Sequence, residues 1–223
     1  MQPTPLTIEV PDIGVVSALW RTPPGFKATF VLAHGAGAGM THPSMAAIAD
    51  GLAERGVATL RYQFPYMDKG GRRPDTPAIA QAAVRAAVAA ALDRAGATPL
   101  FAGGRSFGGR MTSGAQAAAA MPGVRGLIFF AFPLHLAGKP AVARAAHLRD
   151  IDIPMLFLSG SNDALAQRDL LKETVADLKD RATLGLIAEA DHSFHVPKKS
   201  GRSDQEVLAA AIETAVEWMA EIS

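Results

Sequence analysis

The sequence contains no cysteine, and this absence excludes several kinds of chemistry. A chain without thiols forms no disulfide, no iron–sulfur cluster, no cysteine-based zinc site and no thiolate nucleophile. Net charge is also nearly absent: the sequence has 22 basic and 21 acidic residues, for a formal net charge of +1. No stretch concentrates lysine and arginine, so the electrostatic footprint of nucleic-acid binding is missing and no nucleic-acid partner is expected.

Long apolar runs are missing as well. Charged and amide side chains interrupt even the alanine-rich stretch 78–97, whereas a membrane span needs about 20 consecutive apolar residues, so no membrane partner is expected. Residues 1–10 are polar and proline-rich, without a basic start or an apolar segment. No secretory signal is visible there, and we expect a cytoplasmic protein.

What the sequence does contain is an alternation of short strand-like runs and longer alanine-rich segments. With 223 residues and 49% hydrophobic content, it predicts one globular domain over residues 1–223. The candidate strands are 15–21, 28–33, 57–62, 100–103, 126–131, 155–159 and 182–188. The candidate helices are 42–55, 77–95, 107–120, 164–179 and 204–222. This order predicts a doubly wound, mostly parallel α/β sheet with helices on both faces and the first strand or two antiparallel.

The motif Gly104-Arg105-Ser106-Phe107-Gly108 lies between a candidate strand and a candidate helix. In a nucleophile elbow the serine occupies a sharp, strained turn, and flanking glycines leave room for neighbouring strands. The motif therefore predicts Ser106 as a nucleophile. The alternative is a small-residue loop that contains a serine by chance.

A second glycine-rich segment, residues 32–39, follows an early strand. A tetrahedral oxyanion needs two fixed backbone N–H donors, one after the nucleophile and one from such a loop. We expect these donors on Phe107 and Ala36. The alternative of a phosphate-binding loop lacks the G-x-x-x-x-G-K-[ST] pattern and nearby cations.

An acid and a histidine should follow the serine in that chain order. Asp163 comes directly after the candidate strand 155–159, at the edge where active sites of open α/β sheets form. It is the predicted acid, although an aspartate there also suits the N-cap of a helix starting at residue 164.

Two histidines follow the last candidate strand. His192 is nearer the strand end than His195, so we predict His192 as the general base. The His192-x-x-His195 pair lacks the further ligands of a metal site, and no metal or cofactor is predicted. The other four histidines, among them His34, are interpreted as structural or surface residues.

The loop from residue 62 to residue 75 combines aromatic and cationic groups beyond a strand. Tyr66, Arg72 and Arg73 are candidate substrate contacts, and the alternative is a solvated loop that needs its proline and glycine for geometry. Arg105 is interpreted as a partner in a structural ion pair, with a substrate contact as the alternative.

Taken together, the motifs at residues 34–39, 104–110, 132–135, 158–163 and 191–194 resemble the α/β-hydrolase superfamily. Within it they resemble a small branch with bacterial hydrolase-like proteins, a testis-expressed eukaryotic relative and a subunit of the non-specific-lethal chromatin complex. The resemblance implies a Ser106, Asp163, His192 triad with Ala36 and Phe107 donors, and it implies no substrate.

The favoured function is therefore a serine hydrolase of small soluble acyl esters or thioesters, with a small-molecule acyl substrate as partner. Only about 20 residues, 132–151, separate two strands where a lid would be inserted, so an open, lidless site is expected. Two alternatives remain, namely a non-catalytic interaction module on a hydrolase scaffold and a cofactor-free perhydrolase.

Overall fold

An eight-stranded sheet forms the centre of the protein. The structure is a computed structural model, and it describes residues 2–223. Its strands are β1 (Thr4–Val10), β2 (Gly14–Arg21), β3 (Ala28–Ala33), β4 (Val57–Tyr62), β5 (Leu100–Arg105), β6 (Val124–Phe130), β7 (Met155–Gly160) and β8 (Ala182–Ile187). They are arranged in the order β1-β2-β4-β3-β5-β6-β7-β8. β2 pairs antiparallel with β1 and β4, and all other pairings are parallel.

Helices cover both faces of this sheet. They are α1 (Pro43–Glu54), α2 (Pro65–Asp68), α3 (Pro77–Ala95), α4 (Phe107–Ala118), α5 (Arg168–Asp177) and α6 (Asp204–Glu221). Two hydrophobic cores result, one beneath α3, α4 and α5 and the other beneath α1 and α6. The predicted doubly wound, mostly parallel α/β fold is thus confirmed.

The alanines of α3 explain how closely this helix packs on the sheet. Ala80, Ala83, Ala87 and Ala91 recur at helical spacing and are all fully buried. Small side chains on that face let the helix backbone approach the strands without a gap.

Several segments differ from the sequence-based prediction, among them α2 (Pro65–Asp68), which lies in a segment predicted to be a loop. β1 was not predicted, because its residues alternate between exposed and buried and carry little hydrophobic signal; it is held by its register with β2. α5 begins at Arg168 and not at residue 164. The sequence also predicts a short helix around residues 141–148, before β7, and the structure has a 3₁₀ helix there, Ala143–Asp150.

The functional edge of the sheet follows from its parallel strands. β3, β5, β7 and β8 all end at the same edge, so the loops that follow them meet there. The connection between β6 and β7 holds only the 3₁₀ helix, and in the described part of the chain, residues 2–223, no lid is inserted at this edge. None of the helices in residues 2–223 is both long and apolar enough to cross a membrane.

Candidate active site

Ser106 occupies a strained turn between the central strand β5 and helix α4. Its backbone angles are φ 52° and ψ −114°, outside the regions that non-glycine residues normally adopt. The Ser106 N–H donates to the Phe130 carbonyl at 3.0 Å, which ties the turn to β6. Cβ atoms at positions 104 and 108 would both overlap the Ala33 carbonyl oxygen. Both flanking glycines are therefore required by the close approach of β3.

A continuous chain of hydrogen bonds runs from Ser106 through His192 to Asp163. His192 Nε2 lies 2.8 Å from Ser106 Oγ, and His192 Nδ1 lies 2.8 Å from Asp163 Oδ2. Nδ1–H donates this hydrogen bond to the carboxylate and keeps its proton, so the unprotonated Nε2 can accept the serine proton. The Asp163 side chain is fully buried, whereas 21% of the His192 side chain is exposed. The histidine can therefore be reached from solvent while its acid partner cannot.

Asp163 is held by the loop that follows β7. Its second oxygen, Oδ1, accepts the Leu165 N–H at 2.7 Å, so both carboxylate oxygens have partners. The alternative interpretation of Asp163 as an N-cap is wrong, because α5 begins at Arg168 with Gln167 at its N-cap. The hydrogen bond to Leu165 instead closes a local turn that orients the carboxylate toward His192.

The loop that carries His192 is fixed from both sides. Asp191 Oδ1 accepts the backbone N–H groups of Ser193 and His195 at 2.7 and 3.0 Å. The Phe194 ring is buried in the core beneath α6. His195 lies outside the hydrogen-bonded chain and contacts Asp204 on α6 at 2.8 Å. The two histidines thus point to different partners, and residues 2–223 contain no cluster of His, Asp and Glu suited to a metal ion.

The predicted oxyanion loop is organised by a buried histidine. The His34 ring accepts the Phe64 N–H at Nε2 (3.0 Å), so Nδ1 carries the proton donated to the Gly35 carbonyl at 2.7 Å. Burial lowers the pKa of His34 to about 4 and keeps the ring neutral. Because the Gly35 carbonyl and the Ala36 N–H belong to one planar peptide, the ring also fixes the direction of that N–H.

Tyr66 holds the next peptide of the same loop. Its hydroxyl donates to the Ala36 carbonyl at 2.7 Å, and its backbone N–H donates to Asp75 at 3.0 Å. Burial, reinforced by the Asp75 charge, raises the pKa of Tyr66 to about 12. Tyr66 is therefore bonded to the predicted oxyanion loop, while Arg72 and Arg73 are exposed.

The predicted oxyanion loop and the serine turn lie side by side. A Cβ atom on Gly35 would contact Ser106 Cβ at 3.9 Å and the Arg105 carbonyl at 3.7 Å. Phe107 begins α4 directly after the serine, so its N–H is one of the unpaired donors of the helix N-terminus. The two backbone groups predicted as oxyanion donors, those of Ala36 and Phe107, therefore flank Ser106.

Arg105 joins three parts of the site. Its guanidinium donates to Ser44 Oγ at the start of α1 (3.1 Å) and to the His192 carbonyl (3.4 Å). These partners are neutral, so the expected structural ion pair is replaced by hydrogen bonds. Burial lowers the pKa of Arg105, and the charges of Asp191 and Asp163 oppose this effect. The arginine adds positive charge beside the buried Asp163 carboxylate.

Comparison with known proteins agrees with this architecture. The family model described as an alpha/beta hydrolase domain matches residues 26–220, and the chain belongs to this family. Its fold is similar to that of a lidless serine hydrolase from Xanthomonas campestris, at 21% identity over 98% of this chain and 95% of that one, with a TM-score of 0.75.

Two further solved structures share the fold at similarly low sequence identity. Dienelactone hydrolase from Anabaena variabilis is 19% identical over 100% of this chain and 99% of that one, with a TM-score of 0.78. Est1E from Butyrivibrio proteoclasticus, in a structure with bound ferulic acid, is 18% identical over 97% and 98%, with a TM-score of 0.76. The particular branch suggested by the motifs stays a prediction.

Proposed function

We propose that this protein is a serine hydrolase that cleaves small acyl esters or thioesters through an acyl-enzyme intermediate. The observation that carries the proposal is the hydrogen-bonded chain Ser106–His192–Asp163, with both links at 2.8 Å, at a strained turn. Membership of the alpha/beta hydrolase family supports hydrolysis in general.

In the proposed reaction, Ser106 Oγ attacks the acyl carbon while His192 Nε2 takes the hydroxyl proton. The Asp163 carboxylate stabilises the imidazolium that forms. The Ala36 and Phe107 N–H groups donate hydrogen bonds to the carbonyl oxygen and stabilise the negative charge that develops on it. His192 then gives the proton to the departing alcohol or thiol, and a water molecule, deprotonated by the same ring, hydrolyses the acyl-serine.

The shape of the site favours small substrates. The connection between β6 and β7 contains only the 3₁₀ helix Ala143–Asp150, so within residues 2–223 this connection inserts no helical lid that would enclose a long acyl chain above Ser106. The neighbours named for dienelactone and crystallised with ferulic acid support compact acids as the acyl class. We therefore propose a site for short or compact acyl groups, without activation at a lipid interface.

The test is steady-state hydrolysis of short p-nitrophenyl esters by wild type and by Ser106→Ala. Removal of the nucleophile should lower kcat by at least about 10³-fold, because the remaining donors alone cannot form the acyl-enzyme. Ser193→Ala is a matched control, since Ser193 is an exposed serine beside His192 and should keep wild-type turnover.

Two results would contradict the proposal. One is Ser106→Ala with wild-type turnover, which would place the chemistry elsewhere. The other is a folded wild type that hydrolyses no ester or thioester, which would favour the alternative of a non-catalytic interaction module on the same scaffold.

A further inference from the structure

A cavity whose lining includes none of Ser106, Asp163 and His192 lies between α3, α4 and the 3₁₀ helix 143–150. Its volume is about 530 Å³, and the proposed function assigns it no role. Its wall includes Arg110 from α4 together with Arg144 and His147 from the 3₁₀ helix, and Asp150 is the single carboxylate among the lining residues. Arg110 lies one helical turn after Ser106.

Arg110 is the unusual member of this group. Its Nε atom is buried and has no hydrogen-bond partner within residues 2–223. None of the ion pairs formed in that range involves it. Arg85 and Arg105, which are also half-buried, both donate to protein acceptors. The two terminal nitrogens of Arg110 also form no hydrogen bond within residues 2–223 but, unlike Nε, keep access to solvent, so they can donate to a ligand in the cavity.

The charges around the cavity favour an anion. Burial, reinforced by the charge of Arg144, lowers the pKa of Arg110. Burial and the Arg110 charge lower the pKa of His147, which is held by Ser113 Oγ at 2.7 Å and stays neutral at pH 7. The cavity wall therefore carries two guanidinium groups and one carboxylate, that of the exposed Asp150. An anion between the arginines would reduce their mutual repulsion.

Neither guanidinium has all of its N–H groups bonded to protein acceptors within residues 2–223. Arg144 donates from Nη1 to the His135 carbonyl at 3.1 Å, which occupies one of its five N–H groups. Arg110 lies with its guanidinium carbon 5.8 Å from the centre of the Phe107 ring. That ring lies against one face of the guanidinium, and the terminal nitrogens remain available to a ligand.

We propose that the Arg110–Arg144 cavity is a binding site for a carboxylate or phosphate group of a small organic molecule. The fork of N–H groups on arginine matches two oxygens of either anion, and the cavity has the size of a small-molecule site. The anion is either the acid group of the ester cleaved at Ser106 or a separate effector. The binding itself does not depend on the proposed hydrolase activity.

The first experiment measures binding directly. Succinate and inorganic phosphate are titrated by calorimetry, at low ionic strength, into wild type, Arg110→Gln, Arg144→Gln and Arg149→Gln. Arg149 is a matched control, because it lies on the same 3₁₀ helix with 75% of its side chain exposed. Circular dichroism establishes that each variant is folded.

We expect wild type and Arg149→Gln to bind one anion with equal affinity. Each cavity variant should bind about tenfold to a hundredfold more weakly, since a charge-assisted hydrogen-bond pair is lost. Equal affinity in all four proteins, or no binding to folded wild type, would overturn the proposal. An inactive Ser106 site would leave this titration unaffected, so the two proposals fail separately.

A second experiment identifies the source of the anion. The ratio of kcat/KM for p-nitrophenyl hemisuccinate to that for the neutral p-nitrophenyl pentanoate is measured in the same four proteins. If the anion belongs to the substrate, the ratio falls in both cavity variants, stays at the wild-type value in Arg149→Gln, and phosphate competes with the hemisuccinate. If it is a separate effector, the ratio is equal in all four proteins while phosphate still binds in the cavity.

Discussion

The neutral, buried His34 predicts a specific loss of stability in acid. Its ring is fully buried, and its two nitrogens bond to the Gly35 carbonyl and the Phe64 N–H. Burial lowers its pKa from 6.5 to about 4, although the hydrogen bond to Gly35 opposes the change. A protonated ring could not accept the Phe64 N–H, so the folded state resists protonation.

The sign and size of the effect follow from proton linkage. Between pH 6.5 and about pH 4 the unfolded chain binds a proton at His34 that the folded chain does not. The contribution of His34 to stability is therefore complete above pH 6.5, is lost progressively as the pH falls from 6.5 to about 4, and changes no further below that. The full shift corresponds to about 3 kcal/mol.

The assay is urea unfolding of wild type and His34→Gln near pH 7.5 and at about pH 4.5. Glutamine keeps a polar side chain but does not titrate, so other groups contribute equally to both proteins. On acidification wild type should lose about 2.5 kcal/mol more unfolding free energy than the variant. An equal loss in the two proteins would refute this role of His34.

Three further predictions concern the oxyanion loop, the elbow and the open site. Tyr66→Phe removes the hydrogen bond to the Ala36 carbonyl and should lower kcat for short esters by about fivefold with little change in KM, as expected for about 1 kcal/mol; an unchanged kcat would contradict it. Gly108→Ala should reduce unfolding free energy by about 1 to 3 kcal/mol, because its Cβ would meet backbone. The control Gly114→Ala should stay within about 1 kcal/mol of wild type, since its Cβ meets only the flexible Gln81 side chain; equal losses in urea unfolding would argue against the elbow constraint. Finally, the rate on a short triglyceride should not jump above its solubility limit, and a jump would reveal a lid.

Much of the fold could be predicted because its signals are local. The runs that became β4 and α3 are continuous in the sequence, and the structure has them at the predicted bounds. The first β-strand, Thr4–Val10, could not be found this way. Its stability comes from pairing with β2, so the information lies in the partner strand and not in its own composition.

Individual contacts between residues that are far apart in the sequence could not be predicted from it either. The chain order of Ser106, Asp163 and His192 predicted these residues as a group, because parallel strands end at one edge. The bond from the Tyr66 hydroxyl to the Ala36 carbonyl spans 30 positions, and no motif marks it. The same holds for Arg105, which reaches the His192 carbonyl 87 positions away. Such positioning contacts depend on packing that only the folded chain defines.

The most direct test of an activated serine is the intact mass of the protein after exposure to a small fluorophosphonate. We expect one covalent adduct on wild type, none on Ser106→Ala and slow labelling of His192→Ala, because the base that activates the serine is then lost. An adduct of equal yield on Ser106→Ala, or no adduct on folded wild type, would contradict the assignment of Ser106 as the nucleophile.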